Sequence, residues 1–91
     1  MQLKEAMNVL RLDNDDTDTG EIVQGLLAAV PGYIKVATGM SEEQQENVSL
    51  CETVTGFLLR LWYYPECADS EKLQTVVDNL LKSISALANN Q

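Results

Sequence analysis

The stretch that decides the fold runs from residue 10 to residue 39 and reads LRLDNDDTDTGEIVQGLLAAVPGYIKVATG. Its first part is an acidic loop with four aspartates inside six residues, Asp13, Asp15, Asp16 and Asp18. Its second part places apolar residues three and four apart, at Ile22, Val23, Leu26, Leu27, Val30, Tyr33, Ile34 and Ala37. Such spacing is typical of a helix with one apolar face. The stretch therefore predicts a central helix that follows an acidic loop.

Three other segments share this helical spacing, and no segment of useful length alternates as a β-strand does. A short helix over residues 3–10 has its apolar side at Leu3, Ala6, Met7 and Leu10. A later helix has apolar residues at Val48, Cys51, Val54, Phe57, Leu58, Leu61 and Trp62. The last helix has a stripe at Leu73, Val77, Leu80, Ile84 and Leu87, flanked by Val76 and Leu81. We therefore expect an all-α fold, a small bundle of about four helices that forms one domain over residues 1–91.

Local signals predict the ends of the second helix. Asp18 followed by Glu21 fits a capping box, which predicts a helix that begins at about Thr19. Gly39 is a natural stop, because glycine adopts the left-handed conformation that ends many helices. Pro31 lacks the backbone donor that a helix interior needs, so we expect either a kink there or two helices joined end to end.

The two later helices carry signals of the same kind. Ser41 followed by Gln44 predicts a cap that starts the third helix early. That helix is expected to end before Pro65, which cannot continue it. Asp69 or Ser70 is expected to cap the last helix.

The chain is acidic, with a net charge of −8. The excess of acid lies in residues 1–20 and 41–70, whereas residues 21–40 and 71–91 each balance to zero. Proteins bind nucleic acid through phosphates with Lys and Arg, and this chain has only six, which are not clustered. The charge therefore argues against a protein that grips nucleic acid. It fits either a solubilising surface or a surface that DNA passes without sticking.

Catalysis finds no support in the sequence, because the chain has no histidine and no glycine-rich phosphate loop. Cys51 and Cys67 are the only cysteines, and neither has a basic neighbour in sequence that would activate it. The chain has neither a signal peptide pattern nor an apolar stretch long enough to span a bilayer. We therefore expect no enzyme, no membrane contact and two free thiols in a reducing cytoplasm, with Cys51 buried on an apolar helix face.

The aspartate loop invites a calcium interpretation, which its spacing does not support. An EF-hand needs a glycine at loop position six and a glutamate at position twelve. In a loop that starts at Asp13, Asp18 replaces the glycine and Gln24 replaces the glutamate. In a loop that starts at Asp15, Leu26 takes the last position. We therefore predict no metal site and no bound cofactor, and interpret the aspartates as capping or neighbour contacts.

Two apolar groups are candidates for either core packing or subunit contact. One is the aromatic cluster Trp62, Tyr63 and Tyr64, residue types that are enriched in protein interfaces. The other is the stripe on the last helix, with Leu73, Val77, Leu80 and Ile84. If both groups are covered inside one subunit, the protein can be a monomer, and otherwise they join subunits.

The order of these features resembles one family. A short helix runs into Leu10-Arg11-Leu12-Asp13, the next helix closes with Tyr33-Ile34 and Thr38-Gly39, and the third ends in Leu61-Trp62-Tyr63 before Pro65-Glu66. Over residues 3–66 the chain resembles the small head–tail connector proteins of tailed bacteriophages, the adaptors that sit beneath the portal. The family pattern matches at Leu10, Asp13, Asp15, Asp16, Tyr33, Thr38, Gly39, Trp62 and Tyr63. The chain departs from the family at Pro31, where an unbroken helix is expected, and in its long, regular last helix.

The resemblance implies a structural virion protein, located at the head–tail junction and made in the cytoplasm of the bacterial host. Members of the family form rings, twelvefold in the particle, that join the portal to the next tail or stopper component. Genomic DNA passes through the channel without specific binding. We expect subunits to pack side by side through the apolar faces of the second, third and fourth helices.

Two alternatives come from other classes of protein. One is a small acidic helical adaptor that binds a single partner protein through an exposed groove. The other is a carrier protein modified on Ser70, because acyl carrier proteins attach their prosthetic group to a serine that follows an aspartate, as Ser70 follows Asp69.

Overall fold

Five helices make up the fold in the computed structural model, which describes residues 1–13, 15–66 and 68–89. They are α1 (Leu3–Val9), α2 (Thr17–Thr38), α3 (Glu42–Gln45), α4 (Ser49–Tyr63) and α5 (Ser70–Asn89). None of the described residues lies in a strand, so the predicted all-α fold is confirmed. Because α3 is a single turn, four main helices remain, as expected.

The core lies between α2, α4 and α5, each of which packs against the other two. α1 packs against α2 and α4. The turn α3, which lies in the connection between α2 and α4, contacts the same two helices. The largest fully buried side chains come from all three long helices and one turn: Val23, Val30, Ile34, Met40, Val54, Leu58, Leu59, Val77 and Ile84. Burial of such a side chain stabilises the fold by about 1.5–3 kcal/mol relative to leaving it in water. One continuous core therefore holds the helices together.

The start of α2 differs from the prediction. The cap is Asp16, and the helix begins at Thr17. The Asp16 carboxylate accepts hydrogen bonds from the Thr19 N–H (3.1 Å) and from the Thr19 hydroxyl (2.7 Å). The predicted capping box of Asp18 and Glu21 is therefore wrong, because a threonine that offers two donors makes Asp16 the better cap.

The helix α2 continues unbroken through Pro31 to Thr38, so the alternative of two helices joined end to end is wrong. A kink at Pro31 stays a prediction from the shape of the proline ring. The predicted stop at Gly39 is confirmed, since Gly39 has a φ of 82° and donates its N–H to the Lys35 carbonyl (2.8 Å). The Thr38 hydroxyl then accepts from the Met40 N–H (3.2 Å), and this turn directs Met40 into the core.

The end of α1 is built on a left-handed residue that is not glycine. Arg11 has a φ of 58°. Its N–H donates to the Asn8 carbonyl (3.1 Å), and the Leu12 N–H donates to the Met7 carbonyl (2.9 Å). This pair of bonds is the Schellman motif, which normally favours glycine at the left-handed position. It turns Leu12 back onto the core, where Leu12 is half-buried.

The connection between α2 and α4 contains the predicted cap at Ser41. Ser41 accepts from the Gln44 N–H (3.2 Å), and the Gln44 side chain accepts from the Ser41 N–H (3.1 Å). The cap starts the separate turn α3 rather than an early α4, which begins only at Ser49. Gln45 is buried, and its side-chain amide donates to the carbonyls of Pro31 (3.1 Å) and Met40 (3.0 Å). The bond to Pro31 ties the connection to α2, and the bond to Met40 lies within the connection.

Several apolar positions differ from the predicted helix faces. Leu59 is fully buried although it was not predicted on the face of α4. On α2, the predicted inner residues Ile22, Tyr33 and Ala37 are exposed, and on α5 the same holds for Val76 and Leu87. The core side of α2 is therefore narrower than the apolar pattern suggested, because the pattern continues around the outer side of the helix.

Candidate interaction surfaces

The aromatic cluster at the end of α4 joins three helices. Trp62 is half-buried and meets the ring of Tyr33 on α2 edge to face, with ring centres 5.5 Å apart. Tyr63 and Tyr64 meet each other in the same manner at 4.8 Å. Tyr64 is 40% exposed, and its hydroxyl donates to the Leu10 carbonyl (3.0 Å) at the end of α1. The cluster therefore acts mainly in packing inside the subunit, with Tyr64 at its edge.

The stripe on α5 also packs largely inside the subunit. Val77 and Ile84 are fully buried, and Leu73 and Leu80 are half-buried against the same core. Leu87 lies outside it and is exposed. The buried part of the stripe, Val77 and Ile84, is therefore covered by the chain's own helices and serves core packing.

The acidic loop is organised around the start of α2. Asp13 accepts the Asp15 N–H (2.9 Å), and Asp16 accepts both donors of Thr19. The Thr19 hydroxyl, followed by the Thr19 N–H, holds the pKa of the Asp16 carboxyl below its ordinary value. All four loop aspartates are exposed, including Asp18 in the first turn of α2. No group of three or more potential metal ligands forms among the residues that the structure describes.

The two reactive side chains considered in the sequence, the Cys51 thiol and the Ser70 hydroxyl, differ in burial. Cys51 is buried, its sulfur lies 3.8 Å from that of Met40, and burial raises the pKa of its thiol. The prediction for Cys51 as a buried small residue is therefore confirmed, whereas Cys67 lies outside the described residues. Ser70 is half-buried at the first position of α5, directly after the exposed Asp69. Modification of Ser70 stays a prediction.

A cleft of about 570 Å³ opens between the N-terminal residue, the middle of α2, the turn α3 and the start of α4. Met1 and Pro31 supply apolar parts of its wall, and Glu42, Glu46 and Glu52 supply acid. The buried Gln45 also lines the cleft, and its rim is acidic.

The outer side of α2 is a surface that the sequence analysis missed. Val36 is 90% exposed and Ile22 is 59% exposed. The signal was present in the sequence, because residues 25–34 contain no charged residue and are apolar all round the helix. A helix of that kind is normally covered on every side. Here α1, α3, α4 and α5 all contact α2, but the side that carries Ile22, Tyr33 and Val36 remains exposed.

Comparison with models of known protein families, with curated proteins and with solved structures gives no match. None of the helices in the described ranges is both long and apolar enough to cross a membrane.

Proposed function

We propose that this chain is a structural subunit of a ring-shaped head–tail connector of a tailed bacteriophage. Such a ring joins the portal to the next tail or stopper component and lets the genome pass through its channel. The proposal places the protein in the virion, at the head–tail junction, with no catalytic role. It is supported by the order of features over residues 3–66 and by a contact in the fold between two residues of that pattern, Tyr33 and Trp62.

The observation that carries the proposal is that residues matched to the family pattern meet in space. Tyr33 and Trp62, which come from different parts of the pattern, form the ring contact between α2 and α4. Leu10 is buried in the core, and its carbonyl accepts a hydrogen bond from the hydroxyl of Tyr64, a residue outside the matched set. Thr38 and Gly39 form the turn that ends α2. The contact between Tyr33 and Trp62 joins two separate parts of the pattern, and this contact supports the proposal.

The distribution of acid also fits a conduit for DNA. The acidic loop precedes α2, and Glu42, Glu43 and Glu46 are exposed just after it. α2 has 22 residues, so these two acidic regions lie about 33 Å apart along the helix. Negative charge at both ends of this length repels phosphate, which favours sliding over binding. A gel-shift assay at low salt is expected to detect no binding of duplex DNA.

The test is binding to a portal ring encoded in the same genome as this chain. Mass photometry of the mixture is expected to show the portal ring with about a dozen added copies, because a closed ring fills all equivalent positions. An unrelated ring of the same symmetry is the control and is expected to bind none. A portal ring whose mass does not change over a concentration series would count against the proposal.

The second candidate, an acidic adaptor for one partner protein, is favoured by the cleft beside α3 and the start of α4. A segment with basic residues fits its rim of Glu42, Glu46 and Glu52, since opposite charges attract across it. Substitution of Glu46 by Lys at this rim is expected to weaken the binding of such a partner. The same substitution on a connector that contacts the portal elsewhere leaves portal binding unchanged, so the two functions can be told apart.

A further inference from the structure

The outer side of α2 carries a continuous apolar stripe. Five residues spaced three and four apart lie along it, and we call them the α2 stripe: Ile22, Gly25, Ala29, Tyr33 and Val36. All five are exposed, although part of the Tyr33 ring packs against Trp62. The stripe extends over about 21 Å of helix, the rise of fourteen residues. Its members follow one another along a single line of the helix, unlike apolar residues that are scattered singly over a surface.

The α2 stripe has the same pattern when it is read from its centre in either direction. Four residues from Ala29 stand Gly25 on one side and Tyr33 on the other, and seven residues from it stand Ile22 and Val36. A second α2 helix that crosses antiparallel at Ala29 therefore sets the Tyr33 ring above Gly25. A side chain built at Gly25 would meet nothing within 4 Å, so the space above Gly25 is open to receive a ring from outside.

Charge on α2 fits the same arrangement. Among residues 21–40 the only charged side chains are Glu21 and Lys35, and both are exposed. Glu21 stands eight residues before Ala29 and Lys35 stands six residues after it. At 100° per residue these two positions lie within about 40° of each other around the helix, so both side chains project from the same flank of the stripe. In an antiparallel pair, Lys35 of each copy comes beside Glu21 of the other. The surface is thus complementary to itself in shape and in charge.

We propose that a second copy of this chain docks antiparallel on the α2 stripe, which gives a weak dimer with two-fold symmetry. The contact is a single pair of helices, smaller than the interfaces of tight complexes. The acidic regions at both ends of α2 repel each other, so salt that screens them strengthens the dimer. A two-fold contact closes at two copies, whereas a ring needs two different surfaces. The inference therefore goes beyond the proposed connector and does not depend on it.

The test is sedimentation velocity over a concentration series, from about 10 μM to about 1 mM at moderate salt, where mass action reveals a weak dimer. The unmodified protein is expected to shift from monomer toward dimer. Ala29→Glu puts like charges at the crossing point and is expected to stay monomeric. Ala86→Glu makes the same change at an exposed position of α5, far from the stripe, and is expected to behave as the unmodified protein does.

Charge exchange tests the symmetry directly. Ala29→Glu and Ala29→Lys are each expected to be monomeric alone, and an equal mixture of the two is expected to recover the dimer. Equal melting temperatures of these variants in dilute solution show that they are folded. Zero-length cross-linking of the unmodified dimer is expected to join Glu21 of one copy to Lys35 of the other.

Four results would overturn the inference: a monomer throughout the series, a dimer that Ala29→Glu leaves intact, a mixture that stays monomeric, or cross-links that join other pairs only. A larger ring that Ala29→Glu abolishes would also overturn the two-fold dimer, but it would support the connector. Failure of portal binding, in contrast, would leave the dimer standing.

Discussion

Substitution of Trp62 by Ala tests the joint between α2 and α4. Complete removal of a buried aromatic side chain costs about 3–5 kcal/mol of unfolding free energy. Trp62 is half-buried, which reduces this to about 2 kcal/mol, and loss of its edge-to-face contact with Tyr33 adds about 1 kcal/mol. We therefore expect Trp62→Ala to lower the unfolding free energy by about 2–3 kcal/mol, which lowers the melting temperature by roughly 10–20 °C in a domain of this size.

The assay is thermal unfolding monitored by circular dichroism, because the substitution removes the only tryptophan and with it the tryptophan fluorescence signal. A double-mutant cycle with Tyr33→Ala isolates the ring contact and is expected to give a coupling of about 1 kcal/mol. Lys72→Ala, at an exposed position of α5, is the control and is expected to change the unfolding free energy by less than about 0.5 kcal/mol. A loss below about 0.5 kcal/mol for Trp62→Ala, or a coupling near zero, would refute the role given to this joint.

Three further substitutions test the ends of the helices by thermal unfolding. Asp16→Ala is expected to lower the melting temperature more than Asp15→Ala does, because only Asp16 caps α2. The pKa of the Asp16 carboxyl is lowered in the folded state, so the stability from this cap is present above the ordinary carboxyl pKa and is lost as the pH falls through the lowered value. Gly39→Ala is expected to cost about 1 kcal/mol from the left-handed backbone alone, since a side chain there would meet nothing within 4 Å, and a cost near zero would contradict the cap. Arg11→Gly is expected to stabilise the fold by no more than about 1 kcal/mol, because relief of the left-handed backbone strain outweighs the extra conformational entropy of glycine in the unfolded chain. Clear destabilisation would mean that the Arg11 side chain itself contributes to stability.

Leu80→Ala gives the companion test for α5. Leu80 is half-buried against the core, so we expect a loss of about 1–2 kcal/mol, less than a fully buried leucine would cost. Denaturant unfolding measures it, and a loss above about 4 kcal/mol would indicate that Leu80 lies deeper than its exposure shows.

The sequence was sufficient for the parts of the fold that depend on local chemistry. The spacing of apolar residues predicted four main helices, glycine predicted the stop at Gly39, and Ser41 with Gln44 predicted their cap. These features depend on residues that are close in sequence, so no knowledge of packing was needed.

The parts that were missed depend on which neighbours are present. Asp16 and Asp18 are chemically equal caps, and only the position of Thr19 after folding separates them. Arg11 gave no signal for a left-handed turn, because that position normally holds glycine. Leu59 and the outer residues of α2 show the same limit, since an apolar residue does not indicate which side of its helix another helix will cover.

The most direct test of the connector is single-particle imaging of a portal ring incubated with this chain. We expect a second ring of about a dozen copies on one face of the portal, with an open central channel along the common axis. A bare portal, or copies bound at the edge of the portal with no closed ring, would contradict it.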